Sequence, residues 1–325
     1  DGSFILGESP EVRGFFVGAG FNAYGIAANG GAGRALAEWI VGGEPSMDLW
    51  PVDIRRFGEY HRDTKFLIER TIEATGKHYT MAWPSEEHES GRQLKMSPLY
   101  ERLKSGGGCF GSKFGWERPN WFAPDGVKPM DEPSYGRANW FEHVASEHRH
   151  TREAVSLFDE SSFAKYLLAG PGAEKALSWI CANDIAVPPG RLVYTQLCNQ
   201  CGGIEADLTV CRLDADQFYI ITGTGSATRD LNWIERNIPD GSDVVLTDVS
   251  MRTAVLGLMG PLAREVLTQA TDADLSSDVF PFATSRELQI AGATVRAMRV
   301  TFVGELGWEL HIPSESAGAV YDRLM

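Results

Sequence analysis

The chain has 325 residues, 43% hydrophobic and 23% charged, and its 44 acidic against 30 basic side chains leave a net charge of −14. That apolar share excludes wholesale disorder, and the length predicts about two domains at roughly 150 residues each. A pI near 5.0 argues against duplex nucleic acid or an anionic membrane as main partner, because both recruit concentrated positive charge. A small anionic ligand held by a few local donors remains compatible with it. No run approaches the roughly 18 apolar residues of a membrane span. Five cysteines (109, 181, 198, 201 and 211), odd and few for the length, argue against a secreted disulfide framework and for a reducing compartment. The first residue is Asp1 rather than Met, and the last ones, 320–325, read as part of an amphipathic helix. Both ends are therefore expected to be cut, and any targeting address with them.

In chain order, residues 14–21 read as a short apolar strand studded with glycine, 22–33 as a glycine-rich turn, and 34–40 as a helix ended by Gly42, Gly43 and Pro45. Glycines beside a helix start predict backbone brought close to a ligand with free amide N–H groups. Residues 57–75 carry Phe57, Tyr60, Phe66, Leu67 and Ile72 at loosely helical spacing. The polar, Pro-containing stretch 83–91 marks a boundary, and Ser97-Pro98 with Glu101 opens the next helix. Beyond it the pattern is one larger α+β domain. Helices are expected at 141–157 and 172–182, then a β-meander at 192–197, 204–213 and 217–222 with hairpin turns between. A helix at 227–237, strands at 244–248 and 253–258, a helix at 261–269 and strands at 287–290, 294–302 and 308–312 complete it. No fixed-period repeat is evident.

Three features carry possible chemistry. In Gly202-Gly-Ile-Glu-Ala-Asp-Leu-Thr-Val210 the period of two puts Ile204, Ala206, Leu208 and Val210 on one face and Glu205, Asp207 and Thr209 on the other. Asp207 is then either part of a solvated sheet face or a carboxylate held in a central strand for a reason, and Tyr194 on the preceding strand can set a phenol beside it. In Phe302-Val-Gly-Glu-Leu-Gly-Trp-Glu-Leu310, Glu305 suits a turn, whereas Glu309 enters a strand, where burial needs a partner with paired N–H donors. The glycines from Gly18 to Gly33 do not have dinucleotide spacing, but they suit a helix N-terminus facing a cofactor ring. Two further groups lack a metal site's ligand set. Cys198-x-x-Cys201 has no second pair, and His143, Glu147 and His150 read as a solvated helix face.

Taken together, these segments resemble the sarcosine and dimethylglycine dehydrogenase family and its non-dehydrogenase relative, the regulatory subunit of pyruvate dehydrogenase phosphatase. The carrying residues are Gly7-Glu-Ser-Pro-Glu-Val-Arg-Gly-Phe-Phe-Val17, Val52-Asp-Ile-Arg-Arg-Phe57, Phe114-Gly-Trp-Glu-Arg-Pro-Asn-Trp-Phe122 and Val300-Thr-Phe-Val-Gly-Glu-Leu-Gly-Trp-Glu309. The resemblance implies the tail of an FAD-dependent amine oxidoreductase domain (residues 1–45) and a small central linker domain (46–96). The rest (97–325) would have the α+β folate-binding fold of the glycine cleavage T-protein, an aminomethyltransferase, cut short at its C-terminus. By the same resemblance Gly25 and the helix start at Gly30 and Gly31 lie near the flavin. Asp207 is the catalytic acid near folate N10, Tyr194 neighbours the folate, and Glu309 grips the N–H edge of the pterin. The function implied is oxidation of an N-methyl amine by FAD with capture of the one-carbon unit by tetrahydrofolate. A regulatory paralogue and a stand-alone aminomethyltransferase are the rivals. Phe302 departs from the tyrosine common in T-proteins, and the Rossmann half of the flavin domain is absent from the sequence, so the chain alone is not expected to hold FAD. The expected location is the cytoplasm in a bacterium and the mitochondrial matrix in a eukaryote, with no nucleic acid or membrane partner.

Overall fold

The structure, a computed structural model, describes residues 2–302 and 304–325. Strands β1 (Ile5–Glu8) and β2 (Phe16–Ala19) pair antiparallel, and helix α1 (Gly25–Gly42) packs on them. Gly18 permits the approach, since a Cβ there would lie 3.0 Å from the Leu36 side chain. α1 buries Ala32, Ala35 and Trp39 and stops at Gly43, whose φ of +83° suits glycine. The turn expected at 22–33 is thus mostly helix. Gly30, Gly31 and Gly33 lie inside α1 where an added Cβ meets nothing within 4 Å, so they mark no close approach. Surrounding alanines (27, 28, 32 and 35) carry the helix through glycines that cost about 1 kcal/mol each against alanine.

Helix α2 (Thr64–Lys77) is N-capped by Asp63, whose carboxylate accepts the Phe66 N–H at 2.8 Å, and buries Phe66. Next come α3 (Tyr100–Ser105) and the hairpin of β3 (Gly108–Lys113) and β4 (Trp116–Phe122). Helix α4 (Phe141–Glu153) is shorter than expected. Its chain turns at Ala154, and what was read as its last turn leads into strand β5 (Ser156–Asp159).

From here the chain traces one path twice. The first pass runs through β6 (Ala164–Ala169), α5 (Ala173–Ile180), the meander β7 (Leu192–Cys198), β8 (Ile204–Asp214), β9 (Gln217–Thr222), and α6 (Ala227–Asn237). After β10 (Val245–Asp248), the second runs through β11 (Thr253–Met259), α7 (Ala263–Ala270), β12 (Ser285–Ile290), β13 (Ala293–Met298), β14 (Gly307–Pro313) and α8 (Ala317–Leu324). The strand expected over 294–302 ends at Met298, and Phe302 is 99% exposed beside Val303, which is outside the described residues.

The two sheets have the orders β10-β6-β9-β8-β7 and β12-β13-β14-β11-β5. Their lead-in strands are exchanged: β5 precedes β6 but pairs with β11, and β10 precedes β11 but pairs with β6. Both crossings use the same bonds. Glu160 N–H donates to the Val255 carbonyl and Val249 N–H to the Lys165 carbonyl, each at 2.9 Å. Asp159 and Asp248 accept the N–H of Ser161 and Ser250, whose hydroxyls in turn accept the N–H of Val255 and Lys165. At the steps into α5 and α7, Gly170 and Gly260 have φ of +135° and +137°, and a Cβ on either would lie within 2.4 Å of a carbonyl oxygen. The unit is an internal duplication, where no repeat was evident in the sequence. The shared features are two Gly-Pro steps and two Asp-x-Ser turns, too few to register as a period.

One face of the first sheet packs on α5 and α6 through Leu168, Leu177, Leu208 and Ile234. One face of the second packs on α7 and α8 through Leu256, Leu267, Leu310 and Val320. The remaining faces meet around Leu192, Cys211, Tyr219, Ile221 and Met298.

Candidate functional site

Strand β8 alternates as its sequence predicts: Ala206, Leu208 and Val210 are buried in the helix-covered core, and Asp207, Thr209 and Cys211 point to the face that meets the second sheet. Gln196 is the register partner of Asp207, so Tyr194 is its diagonal neighbour on β7. The Tyr194 hydroxyl donates to Asp207 Oδ2 at 2.7 Å, and this bond to a carboxylate raises the phenol pKa. Along the face, burial deepens from one end to the other. Tyr194 is 59% exposed and Asp207 is exposed, whereas Leu192 and Cys211 are buried. Of the two readings open from sequence, Asp207 is on the solvated part of the sheet face, because the second sheet covers only the Cys211 end.

Glu309 and His311 lie two apart on β14, hence on one face, opposite Gly257 and Val255 of β11. Only 16% of the Glu309 side chain is exposed. Its Oε2 lies 3.5 Å from His311 Nε2, too far for a good hydrogen bond. His311 is fully buried, and burial holds its pKa below the usual range, so the imidazole is neutral at pH 7. Its Nδ1 is 3.1 Å from the hydroxyl of Tyr219, and Tyr219 is the register partner of Cys211. This bond joins the sheets, so the Asp207 face and the Glu309 face look toward each other. The two acids do not touch: Asp207 lies four residues along β8 from Cys211, toward the open end.

Two groups at the strand crossing were missed by the sequence reading. Glu160 leaves the end of β5 and lays its carboxyl over Gly257, where a Cβ would lie 2.8 Å from it. Burial first, then the charges of Glu309 and Asp159, push its pKa up, while Arg118 opposes the shift. Lys165, fully buried on β6, donates to the carbonyls of Ser161 (2.9 Å) and Thr253 (2.8 Å), and burial lowers its pKa to about 8. The available signal was the one used for Asp207: Lys165 and His311 each stand between apolar strand residues.

Gly25 opens α1 directly after a 3-10 turn (Asn22–Tyr24), with no side-chain cap before it. Gly30 and Gly31 lie in the helix interior, where an amide is bonded four residues back. A cavity of about 440 Å³ lined by Tyr60, His61, Arg70 and Phe114, among others, contains none of the expected ligand-site residues Gly25, Gly30, Gly31, Tyr194, Asp207 and Glu309. All five cysteines are free, and among the described residues no group of three or more His, Cys, Asp or Glu is placed to hold a metal. His143 stacks on Trp121, and Glu147 accepts the Phe122 N–H, which gives that helix face a packing role.

The profile of the GCVT N-terminal domain matches residues 99–325, two swapped sheets included. The chain belongs to the GCVT family. The profile of the FAD dependent oxidoreductase central domain matches residues 42–97. The glycine cleavage system aminomethyltransferase T of Bartonella henselae superposes with a TM-score of 0.58 at 28% identity, over 71% of this chain and 57% of that one, and the fold is the aminomethyltransferase fold. Among curated proteins, 4-methylaminobutanoate oxidase (formaldehyde-forming) of Paenarthrobacter nicotinovorans is 39% identical over 100% of this chain and 39% of its own length. Mitochondrial sarcosine dehydrogenase of Homo sapiens is 37% identical over 99% and 39%. The mitochondrial pyruvate dehydrogenase phosphatase regulatory subunit of Mus musculus is 37% identical over 99% and 37%. The chain thus spans about two-fifths of the length of these relatives. No helix among the described residues is long and apolar enough to cross a membrane.

Proposed function

We propose that the chain is part of a flavin-dependent N-methyl amine dehydrogenase, with residues 97–325 as its folate-binding domain. The enzyme would oxidise a secondary or tertiary N-methyl amine and pass the one-carbon unit to tetrahydrofolate as the 5,10-methylene form. The observation that carries this reading is the Tyr194–Asp207 hydrogen bond on the sheet face that looks toward Glu309. Asp207 uses Oδ2 to accept from Tyr194, which leaves its other oxygen for a proton at folate N10, lost as the nitrogen bonds to the incoming carbon. Glu309 is acceptor-only when ionised and matches the paired N–H donors of a pterin, at about 1.5–3 kcal/mol per charge-assisted bond. Nε2 of His311 and Oε2 of Glu160, buried without a hydrogen-bond partner among the described residues, fit a polar ligand on this face. FAD, when bound, would supply the hydride acceptor. The start of α1 at Gly25 fits a negatively charged part of the flavin, and Gly30 and Gly31 do not contribute.

The full-length protein should reduce a dye with sarcosine, dimethylglycine or 4-methylaminobutanoate as electron donor, and tetrahydrofolate should raise its melting temperature. The regulatory reading rests on the equally similar phosphatase subunit. A protein that shows neither dye reduction nor a folate-dependent shift belongs to that class instead.

A further inference from the structure

Glu160 has no part in the chemistry above, yet its carboxyl lies against Gly257, the register partner of Glu309. On the reading that the Glu309 pocket takes a pterin, we propose that Glu160 is a specificity-determining residue of that pocket. Its carboxylic acid donates a hydrogen bond to a carbonyl oxygen on the same ligand edge whose N–H groups Glu309 accepts.

Placement is the first argument. Glu160 N–H is fixed to the Val255 carbonyl at 2.9 Å, and the side chain crosses Gly257, the register partner of Glu309. Any other residue at 257 would put a Cβ into the Glu160 carboxyl, 2.8 Å from both its carbon and Oε1. The absent side chain is what lets the two carboxyls lie side by side on one face.

Satisfaction is the second. Glu160 Oε2 is buried without a hydrogen-bond partner among the described residues, and so is His311 Nε2 beside Glu309. Native proteins rarely leave such atoms bare, and two in one place indicate a polar ligand that completes them. Charge is the third. The groups facing Glu160 are Glu309 from β14 and Asp159 from β5, both acidic, and Arg118 from β4. Two carboxyls in one buried site do not both ionise readily, and the one that stays protonated becomes a donor. The pair then offers an acceptor-only carboxylate beside an acid O–H. A 2-amino-4-oxo pyrimidine edge has the complementary order, donors followed by a carbonyl, whereas a 2,4-diamino edge sets a donor against the acid.

The test uses the full-length protein and tryptophan fluorescence titrations with 5-formyltetrahydrofolate, and with folic acid and aminopterin, which differ at ring position 4. Wild type should favour folic acid over aminopterin and should lose affinity for 5-formyltetrahydrofolate as pH rises from 6.5 to 9 and Glu160 ionises. Glu160→Leu should lower both the 5-formyltetrahydrofolate affinity and the folic acid preference about fivefold to tenfold, one hydrogen bond's worth. Glu160→Gln keeps a donor, so affinity should stay within about threefold of wild type while the pH dependence disappears. Should the leucine variant not fold, the flat pH profile of the glutamine variant decides. Variants with the wild-type preference and pH profile would overturn the role of Glu160 and leave the folate reading standing. A wild type that binds none of the three compounds would remove both.

Discussion

Lys165→Met probes the strand crossing that positions Glu160. Beyond the end of β5, the edge of β11 is left without a strand, and its polar groups are met one by one. Glu160 N–H and Ser161 Oγ meet Val255, and Lys165 Nζ meets the Thr253 carbonyl while also holding that of Ser161. The ammonium is therefore buried on two neutral acceptors, and burial outweighs the favourable charges of Asp159 and Asp248, so its pKa falls from an ordinary 10.5 to about 8. A difference of about 2.5 units corresponds to a cost of about 3 kcal/mol for keeping the charge at pH 7. Below pH 8 both folded and unfolded chains hold the proton, so the cost is fully present. As pH rises from 8 toward 10.5 the folded lysine releases its proton first, the unfolded chain binds more protons, and stability gained from this group increases with pH. Methionine removes the charge but leaves two carbonyls without a donor, at roughly 1–3 kcal/mol each, so the two effects nearly cancel at pH 7. The decisive quantity is the change with pH. Between pH 7 and 9.5, wild type should gain about 2 kcal/mol relative to Lys165→Met in paired urea titrations. Taking the difference removes tyrosine and cysteine titrations common to both proteins. A difference that is constant with pH would refute the claim that this ammonium is held at a desolvation cost.

Asp207→Ala should leave pterin binding within about threefold of wild type and slow methylene transfer by a factor of about 10² or more, whereas Tyr194→Phe, which keeps the acid, should slow it less than tenfold. Rapid-quench assay of 5,10-methylenetetrahydrofolate against fluorescence titration separates these, and parallel loss of binding and transfer would reassign Asp207 to binding. Gly260→Ala should cost about 3 kcal/mol, because it combines φ of +137° with a Cβ 2.4 Å from the Ala154 carbonyl oxygen. Gly292→Ala, at φ of +79° with open space around it, should cost about 1 kcal/mol. Equal melting temperatures for the two variants would show that the backbone contact at 260 is not tight.

The sequence made most of the α+β unit legible, and its failures have a common cause. The meander β7–β9 and helix α6 stand where alternation and amphipathic spacing put them, because each has one face in a core and one outside it. β5 and β6 escaped because their register depends on partners distant in sequence; β5 is four residues long and pairs with a strand nearly a hundred residues away. The β3–β4 hairpin joins neighbours in sequence, but glycine, proline and polar residues interrupt the alternation in both strands. Glycine signals turns in the sequence, which hides the first half of α1, although Gly30, Gly31 and Gly33 only occupy its exposed side. In the site, Tyr194 beside Asp207 followed from hairpin geometry alone. Glu160 did not, since its importance comes from a side chain missing at Gly257, and no pattern local to either residue records that.

The duplication explains why the site is where it is. Through the shared crossing bonds and the Gly-Pro steps, Lys165 corresponds to Val255, Leu167 to Gly257, and Val249 to Glu160. The strand registers extend the match: Leu167 pairs with Tyr219 as Gly257 pairs with Glu309, and Lys165 pairs with Ile221 as Val255 pairs with His311. In the first half the three positions around the Glu309 equivalent are Leu167, Tyr219 and Val249, an apolar and aromatic surface that packs. In the second half they are Gly257, Glu309 and Glu160, a side chain removed and two carboxyls added. Folding alone does not call for that difference, because the first half builds the same crossing without it, and burying two acids on one face costs stability. The symmetry of the scaffold is therefore broken at the place where a ligand with N–H donors would be bound, and the cost of breaking it is local to that ligand's pocket.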